Sequence, residues 1–157
     1  MTIGVYGWAE ADFWTALQAA GVDTFVDIRR RRGVRGAAYA FANATRLQAG
    51  LAALGIRYLH RLDLAPGPET RAAQHAVDHA THVTRRQRTA LDPAFSARYQ
   101  HECLASFDSR AFLASLDPDA RVVALFCVEG EPTACHRSLL AARLAADLSL
   151  AVEHLRP

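Results

Sequence analysis

Val122-Val123-Ala124-Leu125-Phe126-Cys127 is an unbroken apolar run, followed by Val128-Glu129-Gly130-Glu131-Pro132 and then by Thr133-Ala134-Cys135-His136-Arg137. A run this short, apolar at odd and even positions alike, fits a strand covered on both faces at the centre of a parallel sheet. Gly130 and Pro132 break it, and helical spacing resumes from Cys135 to about Ala146. Upstream, Ile3 to Tyr6 reads as a strand and Ala9 to Ala20 as a helix with Phe13, Leu17 and Ala20 on one face, stopped by Gly21. Thr24 to Ile28 is a second strand, Asn43 caps a helix reaching Leu54, and Ile56 to His60 is a third strand. After Pro66-Gly67-Pro68 come a polar helix from Glu69 to Val83, a connector Arg85-Arg86-Gln87-Arg88, and helices over 93–107 and 109–116. Leu150 to Leu155 reads as a last strand. This alternation predicts one α/β domain over residues 1–157: a mainly parallel sheet flanked by helices, with a helical insertion between the third and fourth strands.

The bulk of the sequence narrows the chemistry. No apolar stretch is long enough to span a bilayer, so no membrane partner is expected. Cys103, Cys127 and Cys135 form an odd set without a disulfide spacing, and Met1-Thr2-Ile3-Gly4 does not open a secretory leader; both features point to the cytoplasm. The net charge of +2 is too small to suggest a polyanion by itself, but all 18 basic residues are arginine. Without lysine there is no Schiff-base chemistry and no P-loop lysine, so an anion must be held by guanidinium groups or backbone N–H groups.

In an open parallel sheet, ligands bind beyond the carboxyl ends of the strands. Those ends carry Tyr6 and Trp8, then Asp27 and Arg29, then His60, and finally Cys127, Glu129 and the Cys135 turn. With Thr133 as N-cap, Cys135 falls at the second helical position, where first-turn N–H groups and the helix dipole attract an anion and lower a thiol pKa. His136 and Arg137 add to that effect. Cys135, His136, Glu129 and His60 are therefore the candidate catalytic residues. Asp27, Arg29, Arg30, Arg137 and Tyr6 are the candidates for substrate or anion binding, with Arg31, Arg32 and Arg35 extending the arginine-rich loop. No metal ligands are assigned: Cys-x7-Cys-His is not a standard zinc spacing. His75, His79 and His82, with Asp78, share one helix face and read as a solvated surface. Cys103, His101 and His154 read as structural or surface residues.

The ordered set Thr2-Ile3-Gly4, Val26-Asp27-Ile28-Arg29, Gly55-Ile56-Arg57-Tyr58 and Cys127-x-Glu129-x-x-Pro132-x-x-Cys135-His136-Arg137 resembles the bacterial and archaeal proteins called domain of unknown function 488. The resemblance covers nearly the whole chain and implies the α/β fold and a site at the terminal motif, but no reaction. The Asp27-x-Arg29 strand end is also similar to that of rhodanese domains, although the cysteine spacing differs.

Three readings are compatible with these residues. One is a cysteine-dependent group- or sulfur-transfer enzyme with an anion site around Cys135-His136-Arg137. The second is a nucleotide or nucleic-acid binding protein using the Arg29–Arg35 loop, with Tyr6, Trp8 or Tyr39 stacking on bases. The third is a metal-binding protein using His60, Glu129, Cys127 or Cys135 with the helix that bears His75, His79 and His82. Whether the chain is an enzyme, its cofactor and its oligomeric state are left open by the sequence.

Overall fold

A computed structural model describes residues 1–157. Five parallel strands, β1 (Thr2–Ile3), β2 (Thr24–Asp27), β3 (Arg57–His60), β4 (Val123–Phe126) and β5 (His154–Leu155), lie in the order β3-β2-β4-β1-β5. The central position of β4, between β2 and β1, is the one its two-sided apolar sequence requires. Leu125 is in register with Thr2 on one side and Val26 on the other.

Side chains alternate across a strand, and the alternation sorts the core into two layers. Ile3, Phe25, Ala124 and Phe126 face α1 (Glu10–Ala19) and α2 (Ala44–Ala53), where Phe13 packs edge-on against Trp14, Phe25 and Phe126. Val26, Ile28, Leu125 and Cys127 face the opposite layer. That layer consists of α4 (Pro93–Tyr99), which runs into a π turn over Gln100–Leu104, with α5 (Ser109–Ala114) and α6 (His136–Leu148). The remaining helix, α3 (Pro68–Ala80), belongs to the insertion. It is held by Thr70 Oγ1 donating to Glu102 (2.7 Å) and by Gln74 Oε1 accepting from Asp92 N–H (2.9 Å).

The expected elements are present, with the first and last strands markedly shortened. The first strand stops at Ile3, because the N–H groups of Val5 and Tyr6 both turn to the Val128 carbonyl. The last strand shrinks to His154–Leu155 after α6 ends at Ser149, whose backbone is left-handed. Trp8, expected at the rim, is buried edge-on against Phe13.

Asp23, just before β2, fixes the register of β4. Its Oδ2 accepts from the N–H groups of Arg121 and Val122 (2.8 and 2.9 Å), and its Oδ1 accepts from Thr24 Oγ1. Burial alone would raise this carboxyl. The hydrogen bonds and nearby Arg57 outweigh that effect and hold it below its ordinary value. A depressed carboxyl contributes stability above its unfolded pKa and loses it as pH falls through the folded one. Asp23→Ala should therefore lower stability by about 1–3 kcal/mol at pH 7. Urea denaturation should show that gap closing below about pH 4 as the wild-type carboxyl takes its proton.

Candidate functional site

The link from β4 to α6 builds the site. Pro132–Ala134 form a single 3-10 turn, and Cys135, extended at φ −140° and ψ 139°, is itself the N-cap of α6. This corrects the expectation of Thr133 as cap and Cys135 at the second helical position. The Thr133 hydroxyl donates to the Thr89 carbonyl (2.6 Å) and its own carbonyl accepts from Leu91 N–H, so the insertion has captured it. Asn43 does stand at the N-cap position of α2, but its Oδ1 accepts from Val34 N–H (2.6 Å) and pins the arginine loop instead.

Cys127, on the α6 side of β4, meets Cys135 and His136 there, and the Sγ and imidazole ligand atoms of all three lie within 4.8 Å of one another. Cys127 Sγ is 3.8 Å from His136 Nδ1 and 3.3 Å from Glu129 Oε2. His136 Nε2 is 3.2 Å from the Ile28 carbonyl, which can only accept, so Nε2 carries the proton and Nδ1 faces the sulfurs. All four residues are buried.

The crowding sets the protonation states. Burial would raise the Cys135 thiol. A hydrogen bond from Cys127, the Arg137 charge and His136 overcome that and hold it well below its ordinary value. Burial, reinforced by Cys135 and Glu129, pushes Cys127 well up. Burial would lower His136, but Cys135 and Glu129 raise it. Burial and the Cys135 charge raise Glu129 against the pull of Arg85 and Arg88. The surroundings thus favour the anionic form of Cys135 and the protonated forms of its neighbours.

This group forms the floor of a cavity of about 780 Å³. Its walls are the 29–31 loop, α3 and the turn after it, with six arginines (Arg29, Arg30, Arg31, Arg71, Arg85 and Arg88) against the carboxylates of Asp78 and Glu129. Arg88 joins wall to floor, with Nη1 on Asp78 Oδ2 (2.8 Å) and Nη2 on Glu129 Oε1 (3.1 Å); Arg85 shares that oxygen at 3.1 Å. Arg30 donates to the carbonyls of Pro66 and Ala65, and neither it nor Arg31 nor Arg71 pairs with a carboxylate. Burial, then the charges of Arg30, Arg31 and Arg85, lower the Arg71 pKa against the smaller opposing effect of Glu102, and its buried Nε has no hydrogen-bond partner.

Cys135, His136, Glu129 and Arg30 therefore come together, and the side chains of the other five expected residues do not join them. Asp27 lies on the α1–α2 side and binds Arg29 through both oxygens (2.8 and 2.7 Å), while Arg29 also donates to the Ala42 carbonyl. Arg29 borders the cavity, but its guanidinium turns inward over Phe126. His60 contacts the Arg29 carbonyl at 2.9 Å, outside the cavity lining. Tyr6 packs against Tyr39, with Arg86 over both rings. Arg137 is fully buried and turned from the cavity, donating to the Glu129 and Gly130 carbonyls. Cys103 is remote, and burial pushes its thiol up to about 11. Arg71, Arg85 and Arg88 are cavity residues that the sequence reading passed over. The only signal for Arg71 was the polar stripe of the predicted helix, read as solvated, although Arg71, His75, Asp78 and His82 recur at a spacing that puts them on one face; Arg85 and Arg88 lie in the connector beyond α3.

Gly4 passes directly beneath the floor, where an added Cβ would overlap the Glu129 carbonyl. Gly4→Ala should displace the 129–130 loop and cost about 3 kcal/mol, the upper end for overpacking, read as a lowered denaturation midpoint. Gly33→Ala is the control for steric overlap, because its backbone is not left-handed and the nearest atom to its added Cβ is Asn43 Oδ1 at 3.9 Å.

No curated protein and no solved structure shows significant similarity to the chain. No helix is long and apolar enough to cross a membrane. The sequence matches a family model over residues 11–144, which include α1 to α5, the whole cavity lining and the first turns of α6: the chain belongs to the family described as Domain of unknown function DUF488.

Proposed function

We propose that the protein is a group-transfer enzyme whose substrate carries phosphate. The substrate seats in the arginine-walled cavity with its reacting end on the Cys127–Glu129–Cys135–His136 floor. The observation that carries this reading is the Arg71 environment: like charges crowd a guanidinium whose buried Nε lacks an acceptor. Such crowding is unfavourable until an anion enters, and a phosphate offers the several oxygens that guanidinium forks match. An acceptor-rich anion placed there would answer Arg71, Arg30 and Arg31 together. The floor then meets the bound group with a sulfur whose anionic form is favoured, a proton-bearing imidazole and a carboxyl raised by burial, the components of acid–base and group-transfer chemistry.

A terminal or small phosphate fits better than a nucleic-acid backbone track. The arginine run does not form one stripe. Arg29 is taken by Asp27, Arg30 and Arg31 line the cavity, and Arg32 lies against Tyr58.

Calorimetric titration with inorganic pyrophosphate tests the reading. The wild type should bind with an affinity that falls as salt rises. Arg71→Ala should weaken binding roughly tenfold or more, the effect of losing one charged hydrogen bond. No saturable binding at low salt, or an Arg71→Ala affinity equal to wild type, would overturn it.

A further inference from the structure

We propose that the cavity floor is a zinc site, with Cys127, Cys135 and His136 as ligands and Glu129 at the fourth corner. The inference deepens the proposed function by naming the cofactor of its reacting centre, and it stands on the floor geometry alone.

Two of the spacings are those of tetrahedral edges. With Zn–S near 2.3 Å and Zn–N or Zn–O near 2.0–2.1 Å, the edges of a tetrahedral site come to roughly 3.3–3.8 Å. Cys127 Sγ stands 3.8 Å from His136 Nδ1 and 3.3 Å from Glu129 Oε2, and the two sulfurs and Nδ1 lie mutually within 4.8 Å. Side chains packed only to fill volume have no reason to bring two sulfurs and an imidazole nitrogen to one point, with a carboxylate oxygen against one of the sulfurs.

The imidazole is oriented as a metal-bound histidine is. Metal-ligating histidines usually donate their other ring N–H to a carbonyl or carboxylate, which fixes tautomer and ring plane. Here the Ile28 carbonyl receives Nε2–H, so the Nδ1 lone pair of the neutral ring is directed at the sulfurs. Glu129 is braced in the same way, its Oε1 held by Arg85 and Arg88 while Oε2 remains on the ligand side. The backbone supports the set as well. Arg137 clamps the Glu129 and Gly130 carbonyls between the two cysteines. Two thiolates with imidazole and carboxylate suit zinc, and a dication replaces the protons that such a buried group must otherwise keep. At the cavity floor the ion is placed as a Lewis acid toward a bound phosphate. The dependence of the chemistry on Cys135 then becomes a dependence on the metal it holds.

The test uses the full chain purified without a polyhistidine tag. Elemental analysis should find close to one zinc per chain, and chelation should lower the melting temperature, with recovery on adding zinc back. Cobalt(II) replacing zinc should give the intense near-ultraviolet thiolate-to-metal absorption. Cys135→Ser should reduce that band and weaken zinc binding by two orders of magnitude or more, whereas His75→Ala with His79→Ala should leave both unchanged. Protein that carries no zinc, takes none up on equilibration and shows no melting shift would overturn the proposal even if every floor variant failed to fold. Zinc lost with the His75/His79 pair instead would place the metal on α3 and overturn it too. Pyrophosphate binding separates the two readings. If it persists in zinc-free wild type that takes up no metal, this inference falls and the phosphate reading stands. If zinc binds and pyrophosphate does not, the reverse holds.

Discussion

A buried guanidinium with no carboxylate beside it must find acceptors in the backbone, and Arg137 finds them in the loop that makes the site. Its fully buried head donates to the carbonyls of Glu129 and Gly130, and its Nε lies 3.4 Å from Thr2 Oγ1. The start of α6, the loop just before it and strand β1 at the other end of the chain are thereby joined at one cation. The tie extends outward, because Thr2 Oγ1 also contacts His154 Nδ1 (2.7 Å) on β5 and Gly4 brings β1 against the Glu129 carbonyl. The charge does not reach the cavity through the guanidinium, but it does act on Cys135, whose anionic form it favours. A residue placed on the sequence as an anion ligand therefore works as a brace whose field still supports an anion one turn away.

The period of a strand decides which polar residues can cooperate. Asp27 follows Phe25 by two positions and shares its face, so it points into the α1–α2 layer and closes on Arg29 beside Ala42 and Phe126. Cys127 follows Phe126 by one and points the other way, toward α6. Both motifs end neighbouring strands, yet the pleat assigns them opposite sides of the sheet. The Asp27–Arg29 pair still bears on the site through its backbone, since the Ile28 carbonyl between them receives the His136 imidazole. Its contribution is the position of a carbonyl rather than a free charge.

The fold was legible because its signals are local and repeated: strand-length apolar runs, helices stopped by Gly21 and Gly55, and one strand apolar on both faces. The meeting of Cys127, Glu129, Cys135 and His136 was legible in part. The motif is contiguous, and the switch-point rule for parallel sheets locates its strand end. The facing of individual side chains was not legible. Whether Arg137 looks outward or inward depends on whether carbonyls elsewhere need donors, and Thr133 lost its capping role to the Thr89 carbonyl of a segment 44 residues away. The basic wall was hidden for the same reason. Arg71, Arg85 and Arg88 look like surface residues until the insertion folds back and turns a polar helix face toward the strand ends.

That fold-back explains why the insertion is polar where a packing helix would be apolar. α3 buries only Thr70 and Gln74 among its residues, and both are spent on hydrogen bonds that anchor it. Its position is fixed by polar contacts at its start, at Gln74 and at Asp78, which leaves the stripe between them free to face a void rather than a core. A void lined by charge stays hydrated or admits a charged ligand, whereas an apolar one is closed by collapse of its walls. Arg88 is the one side chain that spans the void's edge, tied to Asp78 on the wall and Glu129 on the floor. Any ligand drawing on the wall arginines therefore shifts the same electrostatic balance that holds Glu129 against the two cysteines. Wall and floor form one charge system, and the occupant of either one alters the other.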